Sequence, residues 1–205
     1  MLVHPWDAPD SDDEWRQWLV GHDFGQLVAP GRGRDLPVVV PTHFSYDGAV
    51  TVRLHLARPN PVWPLLEEHP RALLTVIGEY VYVPSDWNAN PGTDPLAGIP
   101  TSYYATVQLA CDVRVIDDPA AKAALLQGQL AQFQPATPRA EVLAGDRNLP
   151  GIRGIELTVT AVQAKFKYGG NKTPEHRQDL AAHLAERAGP LDGAARAHLL
   201  RRLPG

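Results

Sequence analysis

The sequence predicts a mainly β fold, a barrel with peripheral helices rather than a sheet wound from βαβ units. Three observations carry this. Apolar runs of strand length recur at short spacing. Twenty prolines and 17 glycines fall between those runs and punctuate them as turns and loops. Helical patterns interrupt the strands only at a few places and gather at the C-terminal end. At 205 residues, the chain suits one domain, 1–205, with C-terminal helices over about 174–203. A chain this long buries roughly 70% of its unfolded surface.

Residues 11–22 read as a short helix, with Ser11 as N-cap, Glu14 completing a capping box and Trp15, Trp18 and Leu19 on one apolar face. Strands are expected at 26–29, 36–44 and 49–56, the last two flanking an Asp47-Gly48 turn. In the third, Val50, Val52, Leu54 and Leu56 share one face, and Thr51, Arg53 and His55 the other. That polar face suits either solvent or a wall turned to a ligand. Asn60 caps a short helix that has Pro61 at its first position. Residues 71–83 form a strand and 85–100 a long loop, the kind usually functional or disordered. Residues 101–116 form one long strand. A helix starts at Asp118-Pro119 and runs to about 134, a strand covers 154–167, and helices cover 173–188 and 191–203.

The net charge of −4 gives no general attraction to nucleic acid or anionic lipid. One cysteine, Cys111, excludes an intrachain disulfide and a cysteine-based zinc site, and its apolar strand predicts a buried, inert thiol. The first ten residues lack the pattern of a secretory signal, and no apolar run approaches the ~18 residues of a membrane span. A cytoplasmic protein without membrane partners is therefore expected. The phosphate-loop, dinucleotide, nucleophile-elbow and zinc-protease signatures are all absent. His176 and His183 lie seven apart on a polar helix and read as solvated side chains.

Several segments, in order along nearly the whole chain, resemble the PaiB family of FMN-binding split-barrel proteins. LHLARPNPVW resembles the family's GHLARANPQW, PTHF its SHLP, and GEYVYVPSDW its GPHAYISPSWY. IPTSYYATVQLACDVRVIDDP resembles VPTWNYAAVHAYGRLRVIDDP, IRGIEL resembles IVGIEI, and AKFKYGGNKTPEHR resembles GKWKLSQNRPEADR. The chain departs from these patterns at Ser102-Tyr103 (family Trp-Asn), at Gly169-Gly170 (family Ser-Gln) and across Pro84 to Asn88, where only Trp87 stays in register.

The resemblance implies a flavin-reductase-like split β-barrel, a homodimer, and a planar cofactor, FMN or haem, at the dimer interface. The cofactor-binding candidates it implies are His55, Arg58, Asn60, Trp87, Thr101, Tyr104, Lys165, Lys167 and Asn171, and Arg53 joins them from the strand face it shares with His55. Lys165 and Lys167 share a strand face and suit a flavin phosphate or haem propionates, or else a solvated strand edge. Tyr103 and Tyr104 point to opposite faces, so at most one lines a given pocket. If the cofactor is haem, His55 is the first choice as axial ligand and His43 the second. Three roles follow: a redox-cofactor protein with a possible small-molecule substrate, a haem enzyme of piperazate synthase type that forms an N–N bond in N5-hydroxyornithine, or a transcriptional regulator. Direct DNA binding is the weaker case, because the chain is acidic and lacks a basic recognition helix.

Overall fold

A computed structural model describes residues 1–201 and 203. They group into two compact units. The first comprises Met1–Asp12, Ile77–Val107 and Gln163–Gly205, and the second Asp13–Val76 and Gln108–Val162. Elements run in the order α1 (Asp12–Val20), β1 (Phe24–Ala29), β2 (Val38–His43), β3 (Ser45–Tyr46), β4 (Thr51–Ala57), α2 (Val62–Glu68), β5 (Arg71–Val83) and α3 (Ser85–Asn88). There follow β6 (Thr101–Ile116), α4 (Pro119–Phe133), β7 (Ile152–Lys167), α5 (Pro174–Arg187) and α6 (Asp192–Arg201). Strands β5 and β6 match their sequence-predicted bounds. The last helix ends at Arg201; Arg202, part of its expected span, lies outside the described residues.

The seven strands form one sheet in the order β2-β1-β5-β6-β7-β4-β3. Strand β1 pairs antiparallel with β2 and β5, and β4 with β3 and β7. The two ends of that order, β2 and β3, are separated in the chain by Phe44 alone. One run of backbone, 38–46, thus supplies both edges, and the sheet closes on itself into a barrel. Closure removes the unpaired edges that an open sheet exposes. Alternation fills the barrel: Leu27, Val52, Leu54, Leu74, Leu109, Ile155 and Leu157 are all fully buried. Replacing any such leucine by alanine costs about 2–5 kcal/mol. Cys111 joins this core, and burial pushes its thiol up to about 12, as the apolar strand predicts.

Turns follow their local chemistry. Asp47 Oδ1 accepts from the amides of Ala49 and Thr51, and Gly48 takes φ 79° as the turn requires. Asp118 caps α4 by accepting from Ala121 N, and Thr173 caps α5 by accepting from His176 N. Asn60 Oδ1 accepts from Val62 N at the start of α2.

In the first unit, α5 and α6 pack through Leu180, Leu184, Ala195 and Leu199. Arg187 ties them, holding both carboxylate oxygens of Asp192 and the carbonyl of Tyr82. The segment expected to be one long loop carries two short helical pieces, α3 and a 3-10 turn at Pro95–Ala97. The second is capped by Asp94, whose carboxylate accepts from Leu96 N. Asp94 and Pro95 form a local start signal too short to show periodicity, which is why the pattern alone reads as loop. His176 corrects a second expectation. It is buried, with Nε2 3.0 Å from the carbonyl oxygen of Trp87, because the face of α5 that carries it packs inward.

Candidate functional site

The first unit holds a cavity of about 340 Å³ built from four pieces of chain. The start of β6 gives Thr101 and Tyr103, the end of β7 gives Lys165 and Lys167, and the turn after β7 gives Asn171 and Lys172. Asn88 closes one side from the end of α3, and His4, Trp6 and Asp7 enter from the N-terminal segment. Alternation explains the strand contributions, since Thr101 and Tyr103 are two apart, as are Lys165 and Lys167.

Three ammonium groups and one carboxylate line the cavity. Lys165 Nζ donates to the Leu2 carbonyl at 3.0 Å and lies 3.8 Å from Asp7 Oδ2. Lys167 Nζ donates to Thr101 Oγ1 at 2.8 Å, and Lys172 Nζ to the Asn88 carbonyl at 3.1 Å. Burial lowers the pKa of Lys167 from its ordinary value, and the neighbouring Lys165 lowers it further. Burial likewise lowers Lys172. Asp7 is raised, because burial outweighs the pull of Lys165, His4 and Lys167. The cavity thus concentrates positive charge that one partly destabilised carboxylate only partly offsets. An ammonium carries three donors, so each lysine keeps capacity for an anion.

The donor set fits the phosphate of a flavin mononucleotide: clustered ammonium groups, a side-chain amide at Asn171 and a hydroxyl at Thr101. Of the expected cofactor residues, the structure brings Thr101, Lys165, Lys167 and Asn171 together in this cavity. Tyr103 lines it where Tyr104 was expected, and the Tyr104 ring centroid sits 5.8 Å from Lys165 Nζ. Trp87 stacks at 4.9 Å on His183, with the Arg187 guanidinium 4.8 Å from its ring, an arrangement that anchors the segment before β6. Sequence reasoning missed His4, Asp7, Asn88 and Lys172. Lys172 lay inside a run already singled out, AKFKYGGNKTPEHR, and Asn88 at the end of the Pro84-to-Asn88 departure.

The remaining expected residues lie in the second unit. Arg53 pairs with Glu156, which also receives Arg114. Arg58 pairs with Asp117 and donates to the Pro150 carbonyl. His55 stands on the polar face of β4 opposite Gly154 of β7, and α4 covers it: Nδ1 lies 2.7 Å from Gln129 Oε1. His43 meets His55 edge-on at 5.2 Å, and Phe133 at 5.2 Å. Burial lowers the pKa of His43, as does the neighbouring His55. With Nδ1 engaged by Gln129, Nε2 is the ring nitrogen of His55 left for a ligand. No group of three or more His, Cys, Asp or Glu side chains among the described residues could hold a metal ion.

A closed, mainly antiparallel sheet with peripheral helices defines a flavin-reductase-like split barrel. Residues 1–161 match the family described as "Putative FMN-binding domain", and the chain belongs to that family. The match stops before Lys165, so the lysine pair lies beyond it. No curated protein matches this sequence. Among solved structures, the flavocytochrome Anf3 from Azotobacter vinelandii is similar at TM-score 0.60 and 19% identity, over 80% of this chain and 71% of that one. The FAD and heme binding protein from Mycobacterium smegmatis is similar at TM-score 0.59 and 18% identity, over 85% and 78%. A conserved hypothetical protein from Mycobacterium tuberculosis is similar at TM-score 0.59 and 12% identity, over 84% and 94%. No helix among the described residues is long and apolar enough to cross a membrane.

Proposed function

We propose that this chain is a cytoplasmic, homodimeric redox-cofactor protein whose lysine-lined cavity takes the phosphate of FMN. The observation that carries the reading is the convergence of Lys165, Lys167 and Lys172 on one cavity beside the hydroxyl of Thr101. Bound FMN supplies electron or hydride transfer, and the protein supplies position and electrostatics. Lys165 and Lys167 hold the anion, and Asp7 competes with it for Lys165. The homodimer reading is supported by the exposed apolar side chains of β5, Ile77, Tyr80 and Tyr82, of the kind that association buries.

The test is titration of the purified protein with FMN and with riboflavin, followed by absorption and fluorescence. The reading expects FMN to bind at least tenfold more tightly than riboflavin, with the preference lost in Lys165→Ala/Lys167→Ala. Equal affinity for both flavins would overturn it. Light scattering that shows a monomer would remove the dimer.

A haem reading is favoured by one specific observation, the His55 ring oriented by Gln129 with Nε2 left free. Partners that fix a histidine in this way are what metal ligation requires. A Soret band on adding hemin, lost in His55→Ala, would support it. An N–N bond-forming role on an N-hydroxylated diamine depends on that band. A regulatory role would act through the bound cofactor rather than through direct DNA contact.

A further inference from the structure

A second cavity, of about 510 Å³, lies wholly within the second unit. Helix α4 forms one side of it, and residues of β3, β4, β6 and β7 the other. The helix is anchored beside it at two points. Leu125 approaches β7 so closely that a Cβ on Gly154 would stand 3.0 Å from Leu125 Cδ1 and 3.1 Å from Ile116 Cβ. Gln129 Nε2 donates to the Arg53 carbonyl at 3.4 Å. Fixed elements of this kind are what a binding site needs for its walls. The volume falls within the roughly 300–1,000 Å³ of small-molecule sites.

The two sides differ in chemistry. Ile116 and Leu125 give an apolar floor, and Ala121, Ala124 and Gly128, spaced three and four apart, give a low helical wall. Nothing inside the chain calls for glycine at 128. It stands in the interior of α4, where glycine is less favourable than alanine. Its φ is not positive, and a Cβ there would meet no atom within 4 Å. What the missing side chain enlarges is the cavity. On the strand side, Arg53 stands directly across from Glu156, and its Nε donates to Oε2 at 2.9 Å. Arg114 of β6 reaches the other oxygen, with Nε 3.1 Å and Nη2 2.7 Å from Oε1. Two guanidiniums thus share one carboxylate, and one positive charge is left over. Glu156 fixes the plane of the Arg114 guanidinium, whose Nη1 has no partner among the described residues. The polar groups of β3 and its turn are already committed. Ser45 and Tyr46 donate to the carbonyls of Arg53 and Ala49, and Asp47 accepts from the amides of Ala49 and Thr51.

We propose that this cavity binds a small organic monocarboxylate, with its carboxylate on the Arg114 guanidinium and its apolar body along Ile116, Leu125 and the small residues of α4. With Nε and one N–H of Nη2 on Glu156, the Nη1–Nη2 edge of Arg114 is the one that meets the ligand, and such an edge matches a carboxylate. Glu156 and Asp47 repel a doubly charged anion, which disfavours phosphate. The apolar floor favours a hydrocarbon body that phosphate lacks.

The experiment titrates wild type, Arg114→Gln and Gly128→Leu with octanoate, 1-octanol, octylamine and inorganic phosphate, by calorimetry or ligand-observed NMR, and adds melting of the ligand-free proteins. Wild type is expected to bind octanoate roughly tenfold or more tightly than the other three probes. Arg114→Gln is expected to weaken octanoate by roughly tenfold and to leave octanol unchanged. Gly128→Leu fills the cavity and is expected to abolish binding of octanoate and octanol alike. Where leucine disrupts the fold, Gly128→Ala takes its place, expected to raise the melting temperature and to weaken octanoate. Equal affinity of wild type for octanoate and octanol would overturn the inference, as would octanoate binding unchanged in both variants. Displacement of octanoate by one equivalent of hemin, abolished in His55→Ala, would make the cavity part of a haem site and would also overturn it. FMN titrated alongside keeps the two readings apart, since its binding or failure bears on the lysine cavity alone.

Discussion

The lysine cavity of the first unit and the polar side chains along β4 and just after it in the second unit use cationic and amide groups to opposite ends. Along β4 and just after it, Arg53 is held by Glu156, Arg58 by Asp117, and Asn60 by the amide of Val62. Their charges and lone pairs are satisfied inside the protein. In the cavity, Lys165, Lys167 and Lys172 keep donors in hand, and Tyr103 and Asn88 keep atoms unpaired. Resemblance to a family motif therefore does not separate residues that bind from residues that build. Unmet polar capacity does.

The comparison can be broken most forcefully at the lysines. Lys165→Ala and Lys167→Ala are each expected to lower FMN affinity roughly tenfold or more, as the loss of a hydrogen bond to a charged group does. Arg53→Ala and Arg58→Ala are expected to leave the dissociation constant unchanged. A fluorescence titration in which the arginines matter and the lysines do not would reverse the assignment.

Asp7 sharpens the contrast from the other direction. Asp7→Asn removes the carboxylate beside Lys165 and is expected to tighten FMN binding by roughly two- to tenfold. The same change bears on stability. The folded pKa of Asp7 lies above its ordinary 3.8. Its favourable contribution is therefore complete below 3.8 and is lost as pH rises through the folded value. At neutral pH the asparagine variant should melt higher than wild type, and an equal or lower melting temperature would contradict this.

On the second unit the expected effects are structural. Asn60→Ala removes the acceptor at the start of α2 and is expected to cost about 1 kcal/mol in denaturant unfolding, with FMN affinity unmoved. The smallest effect concerns His43. Its folded pKa lies below the ordinary 6.5, so its contribution is present above 6.5 and is lost as pH falls through the folded value. His43→Phe should flatten the fall in melting temperature between pH about 7 and about 5. A variant curve parallel to wild type would show that other groups set it.

Strands were legible where alternation was long, and β5 and β6 match the sequence reading residue for residue. Helix starts were legible at Asp118-Pro119 and Thr173-Pro174, because a capping side chain and a proline act locally. The cavity was half legible. Thr101, Lys165, Lys167 and Asn171 came from the resemblance, but Tyr104 was chosen beside Thr101 although alternation places Tyr103 on the same face as Thr101. His4, Trp6 and Asp7 left no trace, since the 3-10 turn at Pro5–Asp7, which His4 precedes, is too short to have a period. His176 was misread because the polar look of α5 hides which side packs.

Strand β5 buries Ala72, Leu74 and Val76, then Val81 and Val83, with Ile77, Tyr80 and Tyr82 outward. The change of parity falls at Glu79, whose φ of 46° inserts one extra residue into the pleat. A scan of every substitution along this strand should therefore show a phase slip, with even positions intolerant of polar residues before 79 and odd positions intolerant after it. Deleting Glu79 should restore an unbroken alternation with Val81 and Val83 still inward, whereas inserting a second residue there would turn the remainder of the strand inside out.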